Sequence, residues 1–191
     1  MGRLILVLGG VRSGKSTFAE DKAHKIGGDD VLYVATAQAE DDEMHLRVER
    51  HRSSRPHSWP TLEAPQDVGL TICQVAGEVQ AILVDCLTFL VANRLLTVSG
   101  PEEDPFDHPR SDPFDETIEA KVLEEVEALA SCAQEINGSM IVVSNEVGMG
   151  VVPAYDLGRA YRDLLGRANQ QLADHADEVY FLVAGIPMRV K

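Results

Sequence analysis

Leu4-Ile5-Leu6-Val7-Leu8 runs without interruption into Gly9-Gly10-Val11-Arg12-Ser13-Gly14-Lys15-Ser16, and Thr17-Phe18-Ala19-Glu20 follows in a helical pattern. An apolar run, a glycine-bounded loop ending in Gly-Lys-Ser and a helix start are the three parts of a phosphate-binding loop in working order. The glycines let backbone N–H groups turn inward around phosphate, and the helix N-terminus adds its positive end. Lys15 is placed to bridge the outer phosphates and Ser16 to offer a hydroxyl to Mg²⁺. Gly9, Gly10, Val11, Arg12, Ser13, Gly14, Lys15 and Ser16 are therefore candidate nucleotide contacts, with Lys15 also catalytic and Ser16 also a metal ligand.

Outward from this loop, similar apolar runs recur at Val31 to Ala35, Ala81 to Val84, Met140 to Val143 and Val179 to Val183. They are apolar throughout and do not alternate, as strands covered on both faces of a parallel sheet do. Ser16 to Ile26 reads as a first helix. Ile118, Val122, Val126, Leu129, Ala133 and Ile136 mark one face of a longer one, with Asp115 as its cap and Asn137-Gly138 at its end. A third follows Pro153, with Leu157, Tyr161, Leu164, Leu165, Ala168 and Leu172 at helical spacing. The expected fold is α/β of the P-loop NTPase type, a mostly parallel sheet with helices on both faces. At 191 residues, positions 1–191 are expected to form one domain. Residues 99–113, with Pro101, Pro105, Pro109 and Pro113 among acidic neighbours, read as an exposed acidic loop.

Seventeen Lys and Arg against thirty-one Asp and Glu leave a formal charge of −14, a field that repels DNA, RNA and anionic membrane surfaces. A bound nucleotide must then be held by local arginines, a lysine, backbone N–H groups and a divalent cation. Cys73, Cys86 and Cys132 are far apart and odd in number, which suggests neither a disulfide framework nor a zinc site. A reducing cytoplasm is the expected setting. The N-terminus lacks the basic and long apolar segments of a secretion signal, and no 18-residue apolar run suggests membrane insertion.

Asp85, at the end of the run Ala81-Ile82-Leu83-Val84, suits the acid that orders a magnesium shell opposite a phosphate loop. It also suits a cap for a helix beginning near Leu87, and the two roles can coexist, the strand-end pattern favouring the metal. Residues 41–52 read as a helix in which Met44, Val48 and His51 share one face and Arg47 lies one turn from His51. An unprotonated imidazole can attack a nucleotide's α-phosphorus, and nearby arginines would both keep it unprotonated and neutralise the phosphates. A histidine on an apolar helical face is also commonly structural, so the spacing alone does not decide.

The motifs taken together are more specific. The loop is followed by Tyr33-Val34-Ala35-Thr36-Ala37, by Asp42-Glu43-Met44 and by His51-Arg52-Ser53-Ser54-Arg55-Pro56. Further on stand Ser144-Asn145-Glu146-Val147-Gly148-Met149-Gly150-Val151-Val152-Pro153, Arg159-Ala160-Tyr161-Arg162-Asp163 and Gly166-Arg167-Ala168-Asn169-Gln170. Over nearly the whole chain this resembles the bifunctional adenosylcobinamide kinase / adenosylcobinamide-phosphate guanylyltransferase family of cobalamin biosynthesis. Residues 99–113 match least.

The resemblance implies two reactions. A nucleoside triphosphate, ATP or GTP, phosphorylates adenosylcobinamide, and GTP then donates GMP to that phosphate through a histidine adduct, releasing pyrophosphate. His51 matches the histidine that carries GMP, and Arg50 stands where some relatives have a second one. The loop 9–16 together with Thr36, Ala37, Gln38, Arg52, Ser53, Ser54, Arg55, Glu63 and Asp85 match nucleotide-contacting positions. Glu146, at a strand end where such folds bind ligands, is a candidate to take the substrate proton or to help hold Mg²⁺; it also suits a cap for its own tight loop. Arg159 and Arg162 suit either a phosphate grip or a solvated face. The family further implies a homo-oligomer, a trimer by analogy. The rival readings are a small-molecule kinase in which His51 is structural, and a nucleotide-dependent switch that modifies no substrate.

Overall fold

The computed structural model of the chain describes residues 2–37, 55–99 and 112–191. Seven strands, β1 (Arg3–Gly9), β2 (Val31–Ala35), β3 (Thr61–Glu63), β4 (Ala81–Asp85), β5 (Ser139–Asn145), β6 (Glu178–Val183) and β7 (Ile186–Arg189), form one sheet in the order β3-β2-β4-β5-β1-β6-β7. Every pairing is parallel except the final β6–β7 hairpin. The helices are α1 (Lys15–Gly27), α2 (Val68–Val75), α3 (Leu87–Ser99), α4 (Glu116–Glu135) and α5 (Asp156–His175). The α/β, mostly parallel, P-loop-type architecture is as the sequence led one to expect.

Because strand side chains alternate in direction, the central strands feed two cores. Leu4, Leu6, Leu32, Val34, Ile82, Val84, Met140 and Val142 pack with α2, α3, α4 and α5 on one face. Ile5, Val7, Val31, Tyr33, Ala81, Leu83, Ile141 and Val143 pack with Ala19 and Ala23 of α1 and with Trp59 on the other. Both faces being dry explains why these strands read as unbroken apolar runs.

Asp115 caps α4 as expected, its carboxylate accepting from the Thr117 N–H at 2.7 Å. Asn137-Gly138 does not supply a left-handed cap, since α4 stops at Ile136 in an extended conformation. Gly138 serves close approach: a Cβ there would lie 2.2 Å from the Val79 carbonyl oxygen. Three elements were not anticipated, namely β3, β7 and α2, while α3 starts at Leu87, where the sequence allowed a helix after Asp85. Ser99, the first residue of the expected acidic loop, is the last residue of α3, and residues 100–111 of that loop lie outside those described.

One expectation is corrected. Cys73 of α2 and Cys132 of α4 are joined as a disulfide, with Cα atoms 5.8 Å apart. Their 59-residue separation hides the pairing, and only the packing of α2 on α4 creates it. Cys86 is the remaining thiol, and burial, reinforced by the Asp85 charge, pushes it up to about 12. No described helix is long and apolar enough to cross a membrane.

Candidate active site

The parallel strands end together along one edge of the sheet, and the loop after β1 turns there into α1. Gly14 makes that turn at φ +93°, a left-handed conformation, immediately before the first helical residue. Lys15 is buried, and its ammonium donates to the Gly10 carbonyl at 2.7 Å. The β6–β7 turn braces the loop from the far side, with the Gly185 N–H donating to the Ser13 carbonyl at 2.9 Å.

Around this loop opens a cavity of about 880 Å³, at the large end of ordinary small-molecule sites. Among the described residues its wall includes Arg12, Ser13, Gly14, Lys15, Ser16, Ala37, Arg55, Glu63, Asp85 and Asn145. Residues far apart in the sequence, from the phosphate loop and from the ends of β2, β3, β4 and β5, thus converge on one volume. Gly9 and Gly10 lie behind the wall. A Cβ at Gly9 would meet Ser13 Oγ at 2.6 Å and the Leu182 carbonyl oxygen at 2.7 Å, so only glycine fits there.

Asp85 is held by its neighbours. Tyr33 donates its hydroxyl to Asp85 Oδ2 at 3.0 Å, and burial, then the Asp85 charge, raise the Tyr33 phenol so that it remains a donor. The Arg55 guanidinium lies 3.6 Å from the centre of the Tyr33 ring and donates to Thr61 Oγ1 at 2.8 Å. Glu20, one helical turn beyond Ser16, completes the cluster. Burial first, then the Asp85 charge, raise its carboxyl to about 7, with Arg55 opposing.

Several expected site residues are placed differently. Thr36 is fully buried and absent from the cavity wall. Its hydroxyl donates to the Cys86 carbonyl and accepts from the Cys86 N–H, both at 2.7 Å, which locks β2 to the start of α3. Glu146 accepts from the N–H groups of Gly148 and Met149, the loop-capping arrangement, and does not line the cavity. Arg159 pairs with Asp156 and donates to the carbonyls of Pro153 and Ala154, while Arg162 lies 3.6 Å from Asp163. Both belong to the surface of α5. Gln38, His51, Arg52, Ser53 and Ser54 lie outside the described residues, as does the helix expected over 41–52.

The family of cobinamide kinases / cobinamide phosphate guanyltransferases, CobU, matches this chain over residues 5–190. The chain belongs to the CobU family. It is 40% identical over 191 residues to the bifunctional adenosylcobalamin biosynthesis protein CobU of Escherichia coli (strain K12), covering 98% of this chain and 99% of that protein. The Salmonella typhimurium protein of the same name is also 40% identical, over 190 residues, covering 98% of this chain and 99% of that one. The bifunctional adenosylcobalamin biosynthesis protein CobP of Pseudomonas aeruginosa is 43% identical over 186 residues, covering 97% and 96%.

Within this CobU-family site, Tyr33, Glu20, Thr61, Cys86 and Phe89 were not singled out from the sequence. Two of them carried a legible signal. Tyr33 is two residues before Ala35 on a strand that ends in the cavity, and Glu20 is four residues after Ser16 on α1. The others depend on which strands become neighbours.

Proposed function

We propose that the chain performs two transfers at this one nucleotide site. In the first, the aminopropanol hydroxyl of adenosylcobinamide attacks the γ-phosphorus of a nucleoside triphosphate, loses its proton and displaces the diphosphate. In the second, an imidazole nitrogen of His51 attacks the α-phosphorus of GTP and displaces pyrophosphate. An oxygen of adenosylcobinamide phosphate then attacks the same phosphorus, restores the histidine and gives adenosylcobinamide-GDP. The observation that carries this reading is the convergence of residues 11–16 of the phosphate loop with Arg55, Glu63 and Asp85 on one cavity in a CobU-family chain. His51 stands four residues before Arg55 in the sequence.

The donors suit Mg²⁺. Ser16 and Asp85 offer oxygen donors on the same cavity, and among the described residues no group of three acidic, histidine or cysteine side chains is placed to hold a metal ion. A cation that draws its other ligands from phosphate and water fits such a sparse set. When bound, it would neutralise charge on the phosphates. The chain's own groups do the rest: Lys15 and the loop N–H groups hold the phosphates, and Arg55 stands ready to balance charge as it shifts toward the leaving group. Met149, Val151, Val152 and Tyr155 form exposed apolar surface beside the site strand, which supports self-association of the chain, as a trimer by family analogy; light scattering would test it. The cytoplasm, which holds the nucleotide substrates, is the expected setting, and there the Cys73–Cys132 bridge would be exposed to cellular reductants.

The deciding experiment incubates purified protein with Mg²⁺ and GTP labelled at the α-phosphate, reading intact mass and acid lability. An acid-labile GMP adduct present in the wild type and missing from His51→Ala is the expected result. Nucleotide-binding protein that phosphorylates adenosylcobinamide and forms no adduct would instead be a plain kinase.

A further inference from the structure

We propose that Tyr33 is a positioning residue of this site, its hydroxyl aiming the Asp85 carboxylate and its ring face seating the Arg55 guanidinium. The inference rests on the reading of Asp85 and Arg55 as groups that work on the bound nucleotide.

The geometry is built from adjacent strands. On β2 and β4, Tyr33 stands opposite Leu83 and Ala35 opposite Asp85, so Tyr33 lies one pleat below the strand end, on the same face as the cavity. From there the phenol reaches up to Asp85 Oδ2 at 3.0 Å. An aspartate at a strand end that opens on a cavity is ordinarily free to turn about its side-chain bonds; this bond commits one of its oxygens and so orients the other. On the other side of Tyr33 stands Arg55. Arg55 is 8% exposed, its guanidinium stacked 3.6 Å from the Tyr33 ring centre and tied to Thr61. A stacked, hydrogen-bonded arginine is fixed in plane as well as in place. One aromatic side chain, itself 4% exposed, thereby sets the spacing between the metal and phosphate side of the cavity and its arginine side.

A side chain that only filled space would be indifferent to Tyr33→Phe, which keeps the ring and the volume and removes one oxygen. Because the proposed action passes through two different partners, the two halves can be separated. Tyr33→Phe should disturb Asp85 alone, whereas Tyr33→Leu should disturb Asp85 and Arg55 together.

The test measures binding of the non-hydrolysable analogue guanosine 5′-(β,γ-imido)triphosphate, with Mg²⁺ and with EDTA, alongside the rate of adenosylcobinamide phosphorylation. Tyr33→Phe is expected to weaken Mg²⁺-dependent binding and the rate by about tenfold, the scale of one hydrogen bond to a charged acceptor, while binding in EDTA shifts by about twofold at most. In an Asp85→Asn background the same substitution should have no further effect. Tyr33→Leu should also weaken binding in EDTA, and that added loss should vanish in an Arg55→Ala background. Equal losses for Tyr33→Phe with and without Mg²⁺, or an undiminished loss in the Asp85→Asn background, would overturn the proposal. An Asp85→Asn protein that binds and reacts like wild type would instead overturn the metal-side reading of Asp85, and the proposal with it.

Discussion

The Lys15 ammonium reaches back across its own loop and donates to the Gly10 carbonyl at 2.7 Å. A phosphate oxygen is a charged and therefore stronger acceptor than a neutral carbonyl, so nucleotide should draw this bond away from Gly10. Lys15→Ala is expected to lower kcat/KM for the kinase step by roughly 10²–10³ and to abolish saturable nucleotide binding at micromolar concentrations. A fluorescent GTP analogue would show the binding loss directly. Retained binding of wild-type strength would remove the loop from the nucleotide site.

Glu20 makes stability depend on pH in a definite direction. Burial and the charge of Asp85 raise its carboxyl from 4.5 to about 7 in the folded protein. The folded state then holds a proton that the unfolded chain releases, so the contribution of Glu20 to stability is fully present below about 4.5 and is lost as pH rises through about 7. Glu20→Gln should flatten this decline and leave the variant the more stable protein at about pH 8. Thermal midpoints of metal-free wild type and variant across the range would measure it; parallel curves would contradict the assignment.

The Cys73–Cys132 bridge closes a loop of 59 residues in sequence separation between α2 and α4. Cross-links over loops of this length restrict the unfolded chain enough to contribute about 2–4 kcal/mol. Dithiothreitol should lower the thermal midpoint of the wild type and leave that of Cys73→Ser unchanged. Alkylation of native protein under non-reducing conditions should label none of the three cysteines, since Cys86 is buried.

Gly69 lets α2 lie directly on the backbone of α4. A Cβ at this position would come within 2.5 Å of the Ala128 carbonyl group and the Leu129 nitrogen, atoms that cannot move aside singly. Gly69→Ala should therefore cost about 1–3 kcal/mol in chemical denaturation, against the small gain alanine ordinarily brings to a helix. A stabilised Gly69→Ala protein would mean that the two helices are not in this contact.

The phosphate loop, five of the seven strands, α1, α4 and α5 could all be read in the chain itself. Their signals are local: buried strands are apolar on both faces, long helices repeat their apolar stripe, and the loop motif is contiguous from Gly9 to Ser16. The missed elements carry weak or ambiguous local signals. β3 is three residues long and β7 is exposed throughout, while α2, eight mostly apolar residues, has a length and composition that a strand would share. Contiguous motifs likewise supplied the family resemblance and with it Arg55, Glu63 and Asp85. What tertiary structure alone decided is which of these residues meet. The crossover order β3-β2-β4-β5 brings Tyr33 beneath Asp85, seats Arg55 on Tyr33 and buries Thr36 against Cys86. Each contact spans strands or loops whose pairing depends on burial summed over the whole sheet, a quantity that no short stretch of sequence contains.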